Sequence, residues 1–126
     1  MNLLIADDSP EFMESLKEFL ENSGHAVFCA SDGEQALQIF GNQNIDGVFC
    51  ALTLPKLGGL ELLKEVKSAN SNRPFVMLCP QNDSEGAISA LQLGACDYLI
   101  KTIQTADLQR TLDRVVSLHE GFNFSN

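Results

Sequence analysis

Two adjacent carboxylates, Asp7 and Asp8, follow the short apolar run "NLLIA" at 2–6, and a lysine, Lys101, follows another, "CDYLI" at 96–100. A few carboxylate oxygens suit a hard divalent cation such as magnesium, which keeps several of its waters. The lysine suits an anion. Two further apolar runs, "DGVFCAL" (46–52) and "PFVMLC" (74–79), carry no charge at their ends, where Ala51 and Cys79 stand. The four cysteines, Cys29, Cys50, Cys79 and Cys96, form no C-x-x-C pair and have no zinc-like spacing to a histidine. They read as small buried hydrophobes. His25 and His119 lie away from these run ends and read as surface residues. No histidine-centred acid–base arrangement is expected, and the chain does not read as an enzyme.

These groups can meet only if the elements that carry them end side by side. The runs named above, with "HAVFCA" at 25–30, have strand length and are apolar nearly throughout, as strands are when helices cover both faces of a sheet. Between them lie stretches with helical spacing: Phe12, Leu16, Phe19, Leu20; Ala36, Leu37, Phe40; Leu60, Leu63, Val66; Ala87, Ile88, Leu91; and Leu108, Leu112, Val115, Val116. Ser9-Pro10-Glu11 marks a helix start, Ser31 or Asp32 a second, and Asp83 or Ser84 another. Gly24, Gly41 and Gly94 mark helix ends. Five strands alternating with five helices imply parallel βαβ units. In an open sheet of that kind ligands bind beyond the carboxyl ends of the strands, so the chemistry-bearing residues are expected at one sheet edge.

The chain has 126 residues, which fits a single domain over 1–120 followed by a tail or linker start over 121–126. With 44% hydrophobic and 20% charged residues the composition is that of a globular protein. No apolar run approaches the roughly 20 residues of a membrane span. The start "MNLLIADDSPEF" lacks a signal peptide's basic region. A cytoplasmic location with no membrane contact is expected. The net charge of −9 argues against direct nucleic-acid binding, which needs Lys and Arg at phosphates.

"LIADDSP", "DGEQALQIF", "DGVFCALTLPKLGGLELLKEVK" and "GACDYLIK", in this order and on this strand–helix rhythm, resemble the receiver domain of bacterial response regulators, the CheY-like family, over residues 2 to about 119. The resemblance implies a flavodoxin-like, doubly wound five-stranded parallel sheet of order 2-1-3-4-5 with five helices. It implies that Asp7 and Asp8 bind magnesium, that Lys101 holds an incoming phosphoryl group, and that Tyr98 is a switch-like aromatic. The family's phosphate acceptor is an aspartate five residues after the Asp that opens strand three and four before the following Pro. Counting from Asp46 and from Pro55, both counts reach Ala51.

A methyl group cannot make the covalent attack a carboxylate makes at such a site, and it removes one metal ligand. Any magnesium at Asp7 and Asp8 is therefore expected to be weak, with no cofactor required. Cys79 stands where the family has Thr or Ser, and a thiol is a weak donor. Thr102 replaces a common Pro, so the Lys101–Thr102 bond is expected to be trans. Gly58 replaces a common acid. A salt bridge of Lys101 with the acid pair is expected at rest.

The resulting expectation is a two-component signalling module, a pseudo-receiver that works without phosphorylation through protein contact. Its pocket would be Asp7, Asp8, Cys79 and Lys101, and its interaction face Tyr98, Asp97, Arg110 and Arg114. The arginines pair, in related DNA-binding regulators, with acids across a dimer, for which Asp97, Asp107 and Asp113 are available. Partners would be a sensor kinase, a downstream effector or an output domain, with a homodimer as a further possibility. Two alternatives stay open: an ordinary receiver whose acceptor was replaced by engineering, and a thiol sensor at Cys79. Thr53 as a substitute acceptor would sit two residues too far along.

Overall fold

The structure, a computed structural model, describes residues 1–69, 72–81 and 83–124. Strands β1 (Asn2–Ala6), β2 (Ala26–Ala30), β3 (Gly47–Ala51), β4 (Phe75–Cys79) and β5 (Asp97–Ile100) alternate with helices α1 (Pro10–Asn22), α2 (Gly33–Asn42), α3 (Gly59–Ala69), α4 (Ser84–Gln92) and α5 (Thr105–Phe124). All neighbouring strands pair in parallel in the order β2-β1-β3-β4-β5, as expected. Among the described residues no helix is long and apolar enough to cross a membrane.

Successive strand side chains point to opposite faces, and the core divides accordingly. Leu4, Val48, Cys50, Phe75, Met77 and Cys79 pack with Ala36, Leu62, Leu63, Val66 and Ala90 of α2, α3 and α4. Leu3, Ile5, Phe49, Val76 and Leu78 pack with Leu16 and Leu20 of α1 and Leu108, Leu112 and Val115 of α5. The central strands β3 and β4 are buried at every residue, which explains their uninterrupted apolar sequence.

The caps form where the sequence places them. Ser9 Oγ accepts the Phe12 N–H at 3.3 Å, Asp32 Oδ1 accepts that of Gln35 at 2.7 Å, and Asp83 Oδ1 accepts that of Gly86 at 2.8 Å. Gly24 and Gly94 take φ of 95° and 108° after α1 and α4, a region open to glycine without steric penalty. Gly41 does not end its helix: α2 runs on to Asn42 and is capped at Gln43. Helix α5 likewise continues to Phe124, beyond the expected domain end at 120. Residues 125–126 of the expected tail lie outside the described residues.

The Lys101–Thr102 peptide bond is cis, which corrects the expectation of trans. The expectation weighed only local preference. In the fold, the Lys101 N–H donates to the Cys79 carbonyl of β4 at 2.9 Å and its ammonium to Asp7, just after β1, so both ends of the residue have partners distant in sequence.

Candidate functional site

The sheet reverses its winding between β1 and β3, because β1 leads outward to β2 while β3 leads to β4 and β5. A ligand site is expected at the carboxyl ends of the strands flanking that reversal. The register aligns Ala6 with Cys50, Ala51 with Leu78, and Cys79 with Ile100. Asp7, Ala51, Cys79 and Lys101 therefore end four adjacent strands on one edge, as the sequence spacing requires.

Asp7 is fully buried. Its Oδ1 accepts the Ser9 N–H at 2.9 Å and its Oδ2 accepts a proton of the Lys101 ammonium at 2.7 Å. The Lys101 side chain is 30% exposed, and its nitrogen lies 4.4 Å from the centre of the Phe12 ring. The expected ion pair thus forms with Asp7 alone, while Asp8 is exposed. Phe12 has a place at the site that periodicity did not show. Its spacing to Leu16 and Phe19 marked only a core-facing helix stripe.

The magnesium cage that the resemblance implies finds a poor donor set here. Ala51 offers a methyl where a third oxygen ligand would stand, and Asp7 is engaged by Lys101. Among the described residues no group of three or more His, Cys, Asp or Glu side chains converges as a metal site. The residues present do not fit the group.

Ala51 is 3% exposed and closes the buried run of β3. Its carbonyl accepts the Cys50 thiol at 3.3 Å, and the start of α3 presses directly on it. A Cβ on Gly59 would overlap the Ala51 carbonyl oxygen and come within 2.9 Å of Leu52 Cα. The Gly59 N–H donates to the Leu52 carbonyl at 3.0 Å. Gly58, by contrast, has ordinary room for a side chain.

Cys79 is fully buried, and burial first, then the Asp83 carboxylate, pushes its thiol up to about 11. The Cys50 thiol is raised for the same kind of reason, by burial and by Asp7. A sensing thiolate needs the opposite shift, so the surroundings of Cys79 lend a thiol sensor there no support. Thr53 is exposed and lines a separate hollow with Glu61, Asp83 and Glu85, acids that would repel a phosphate.

The expected interaction residues lie together on β5 and α5. Tyr98 is 39% exposed on the edge strand and shares a cleft with Asp97, Asp107 and Arg110. The arginines find partners within the chain: Arg110 with Asp107 at 3.1 Å, and Arg114 with Asp97 at 3.9 Å and with the Cys96 carbonyl at 3.3 Å. Asp97 also accepts from the buried Thr111 hydroxyl at 3.0 Å, and Asp113 from Gln109 at 2.8 Å. His25 and His119 are half-buried rather than fully exposed. His25 meets the N-terminal amine at 3.1 Å, and the N-terminal ends of the strands place it far from the acid pair.

The sequence and the fold are similar to those of known proteins. The sequence profile of the response regulator receiver domain matches residues 3–113. The transcriptional regulatory protein ZraR of Escherichia coli K12 is 32% identical over 93% of this chain and 26% of its own length. The response regulator MprA of a Mycobacterium species is 32% identical over 96% of this chain and 54% of its own. The chain thus spans between a quarter and about half of these curated relatives. A receiver domain from Clostridium thermocellum superposes with a TM-score of 0.90 at 28% identity, covering 96% of this chain and 98% of that one. NtrX from Brucella abortus superposes with 0.92 at 26% identity, covering 98% and 28%. With the receiver profile matched over residues 3–113 and the five-stranded sheet in the order β2-β1-β3-β4-β5, the chain belongs to the response regulator receiver domain family.

Proposed function

We propose that this receiver signals without an aspartyl phosphate, as a pseudo-receiver acting by protein contact in the cytoplasm. The observation that carries the reading is Ala51. The central strand ends in a buried methyl between strands that present Asp7 and Lys101. An acyl phosphate needs a carboxylate nucleophile there. The Asp7–Lys101 ion pair supports it, because it balances the lysine's charge in the absence of a phosphoryl group. No cofactor is required on this reading, and no direct nucleic-acid contact is invoked.

The partner would be a sensor kinase, a downstream effector or an output domain, met on the β5–α5 side. Tyr98 is exposed there, and so are Ile88 and Leu91 of α4, the helix that precedes β5 in the chain. Without a phosphate input the conformational equilibrium is set by whichever partner binds one state better.

Intact mass after incubation with magnesium and acetyl phosphate tests this on the native chain and on Ala51→Asp. The native chain is expected to gain nothing, and a phosphate on it would refute the reading. A phosphate on Ala51→Asp alone would favour the second reading, an ordinary receiver silenced at one position, since Asp7 and Lys101 are still in place to serve it.

A further inference from the structure

A concavity lies beside the strand ends rather than at them. A groove of about 580 Å³ runs between α1 and the segment joining β5 to α5. Its walls are Phe12, Leu16 and Phe19 from α1, and Ile103 and Leu108 from the other side. Small-molecule sites are concavities of roughly 300–1,000 Å³ with mostly apolar walls and a few convergent polar groups. This groove has that size and that composition. Its polar groups are the hydroxyls of Ser15, Thr102 and Thr105, the Gln81 amide and the Lys101 ammonium.

Charge selects the class of ligand. The chain carries 17 Asp and Glu against 8 Lys and Arg, yet the one charged residue lining this groove is a lysine. An ammonium has three donors. One goes to Asp7 at 2.7 Å, and with the side chain 30% exposed the other two are left for an incoming acceptor. A hydrogen bond from an ammonium to a carboxylate is about twice as strong as one between neutral groups. The aromatic rings of Phe12 and Phe19 favour a flat apolar body, which they can meet in offset or edge-to-face contact.

We propose that this groove binds a small amphipathic carboxylate, with its aromatic or aliphatic body between Phe12, Phe19 and Ile103 and its carboxylate on the Lys101 ammonium. Such a ligand would bear on the same Lys101 that Asp7 holds, and would give the domain an input of its own. The inference goes beyond the phosphate-independent reading and does not require it, because the groove walls belong to α1 and α5 and not to β3.

The test is a ¹H–¹⁵N titration of the native chain with 1-naphthylacetate, and in parallel with 1-naphthylacetamide, which has the same ring and no charge. The expected result is saturable shifts clustered at Phe12, Ser15, Phe19, Lys101 and Ile103, with the amide at least about ten-fold weaker. Ser15 is exposed on α1, so Ser15→Trp fills the groove without touching the ion pair. It should abolish the shifts while leaving the circular dichroism unchanged. Lys101→Gln should bring the acid down to the affinity of the amide.

Absence of saturable shifts at millimolar naphthylacetate would overturn the proposal, as would shifts centred elsewhere. Equal binding of acid and amide would overturn the anionic class. A concentration-dependent dimer in sedimentation that Ser15→Trp dissolves would assign the groove to a second copy of the chain and overturn it as well. Neither outcome alters the mass result on Ala51, so the two readings fail separately.

Discussion

Replacing Lys101 by methionine should expose how the strand-end pocket is held. Asp7 is fully buried and has two protein donors, the Ser9 N–H at 2.9 Å and the Lys101 ammonium at 2.7 Å. Methionine removes the stronger donor and leaves a buried carboxylate with one hydrogen bond. Breaking a buried pair in this way costs about 3–5 kcal/mol when both partners are buried. Here the lysine is 30% exposed, so the lower end applies, about 3 kcal/mol. For a domain of this size that corresponds to a fall in Tm of roughly 10 °C. The converse change, Asp7→Asn, should cost less, about 1 kcal/mol, because a partly exposed ammonium can turn to water on its flexible stem. The double variant Asp7→Asn/Lys101→Met has no buried charge and should be more stable than Lys101→Met alone. Urea unfolding of the four proteins, read by circular dichroism at pH 7, gives the cycle directly. A loss under about 0.5 kcal/mol in Lys101→Met, or strict additivity in the double variant, would refute the view that the pair is coupled and that burial of Asp7 dominates it.

Three further outcomes follow from neighbouring observations. Gly59→Ala should lose about 1–3 kcal/mol, as overpacking does, since its Cβ would overlap the Ala51 carbonyl, whereas Gly58→Ala should be near neutral; chemical denaturation of both separates the positions. Iodoacetamide should modify Cys79 at pH 8 at least about ten-fold more slowly than a free-thiol peptide, because a thiol raised to about 11 is almost wholly protonated there; an equal rate would contradict its burial. His25 is held below its ordinary 6.5, by burial first and then by the N-terminal amine. The unfolded chain therefore binds the proton more readily, and the His25 contribution to stability is complete above pH 6.5 and declines as pH falls below it. His25→Gln should flatten that acid limb in denaturation curves taken between pH 7 and 5, and an unchanged slope would count against it.

The elements were legible because each carries redundant signals. Apolar runs of strand length, three side-chain caps and two positive-φ glycines all point to the same boundaries, and the parallel topology then forces Asp7, Ala51, Cys79 and Lys101 to one edge. The acid–lysine contact could be expected from that edge alone. Contacts set by the third dimension were not legible. Gly41 reads as a helix stop, and α2 ends one residue beyond it, at Asn42. The cis bond after Lys101 is not encoded by any local preference. Phe12 and Phe19 share a helical stripe with Leu16, and spacing cannot tell a stripe that is wholly covered from one that leaves a groove open toward Ile103. The arginines of α5 read as candidates for a second subunit because nothing in the sequence ranks Asp97 and Asp107 of the same chain above acids of another.

That intrachain pairing changes the thermodynamics of any encounter on the β5–α5 side. A partner acid reaching Arg110 or Arg114 would have to displace Asp107 or Asp97, so docking there is an ion-pair exchange with little net Coulombic gain. Dissolved salt screens the bridge that is lost as well as the one that forms. Affinity on this face should accordingly vary little with ionic strength. Discrimination between partners would then fall to uncharged groups, first of all Tyr98, which shares a cleft with Arg110 and is 39% exposed, where shape decides and screening has no purchase.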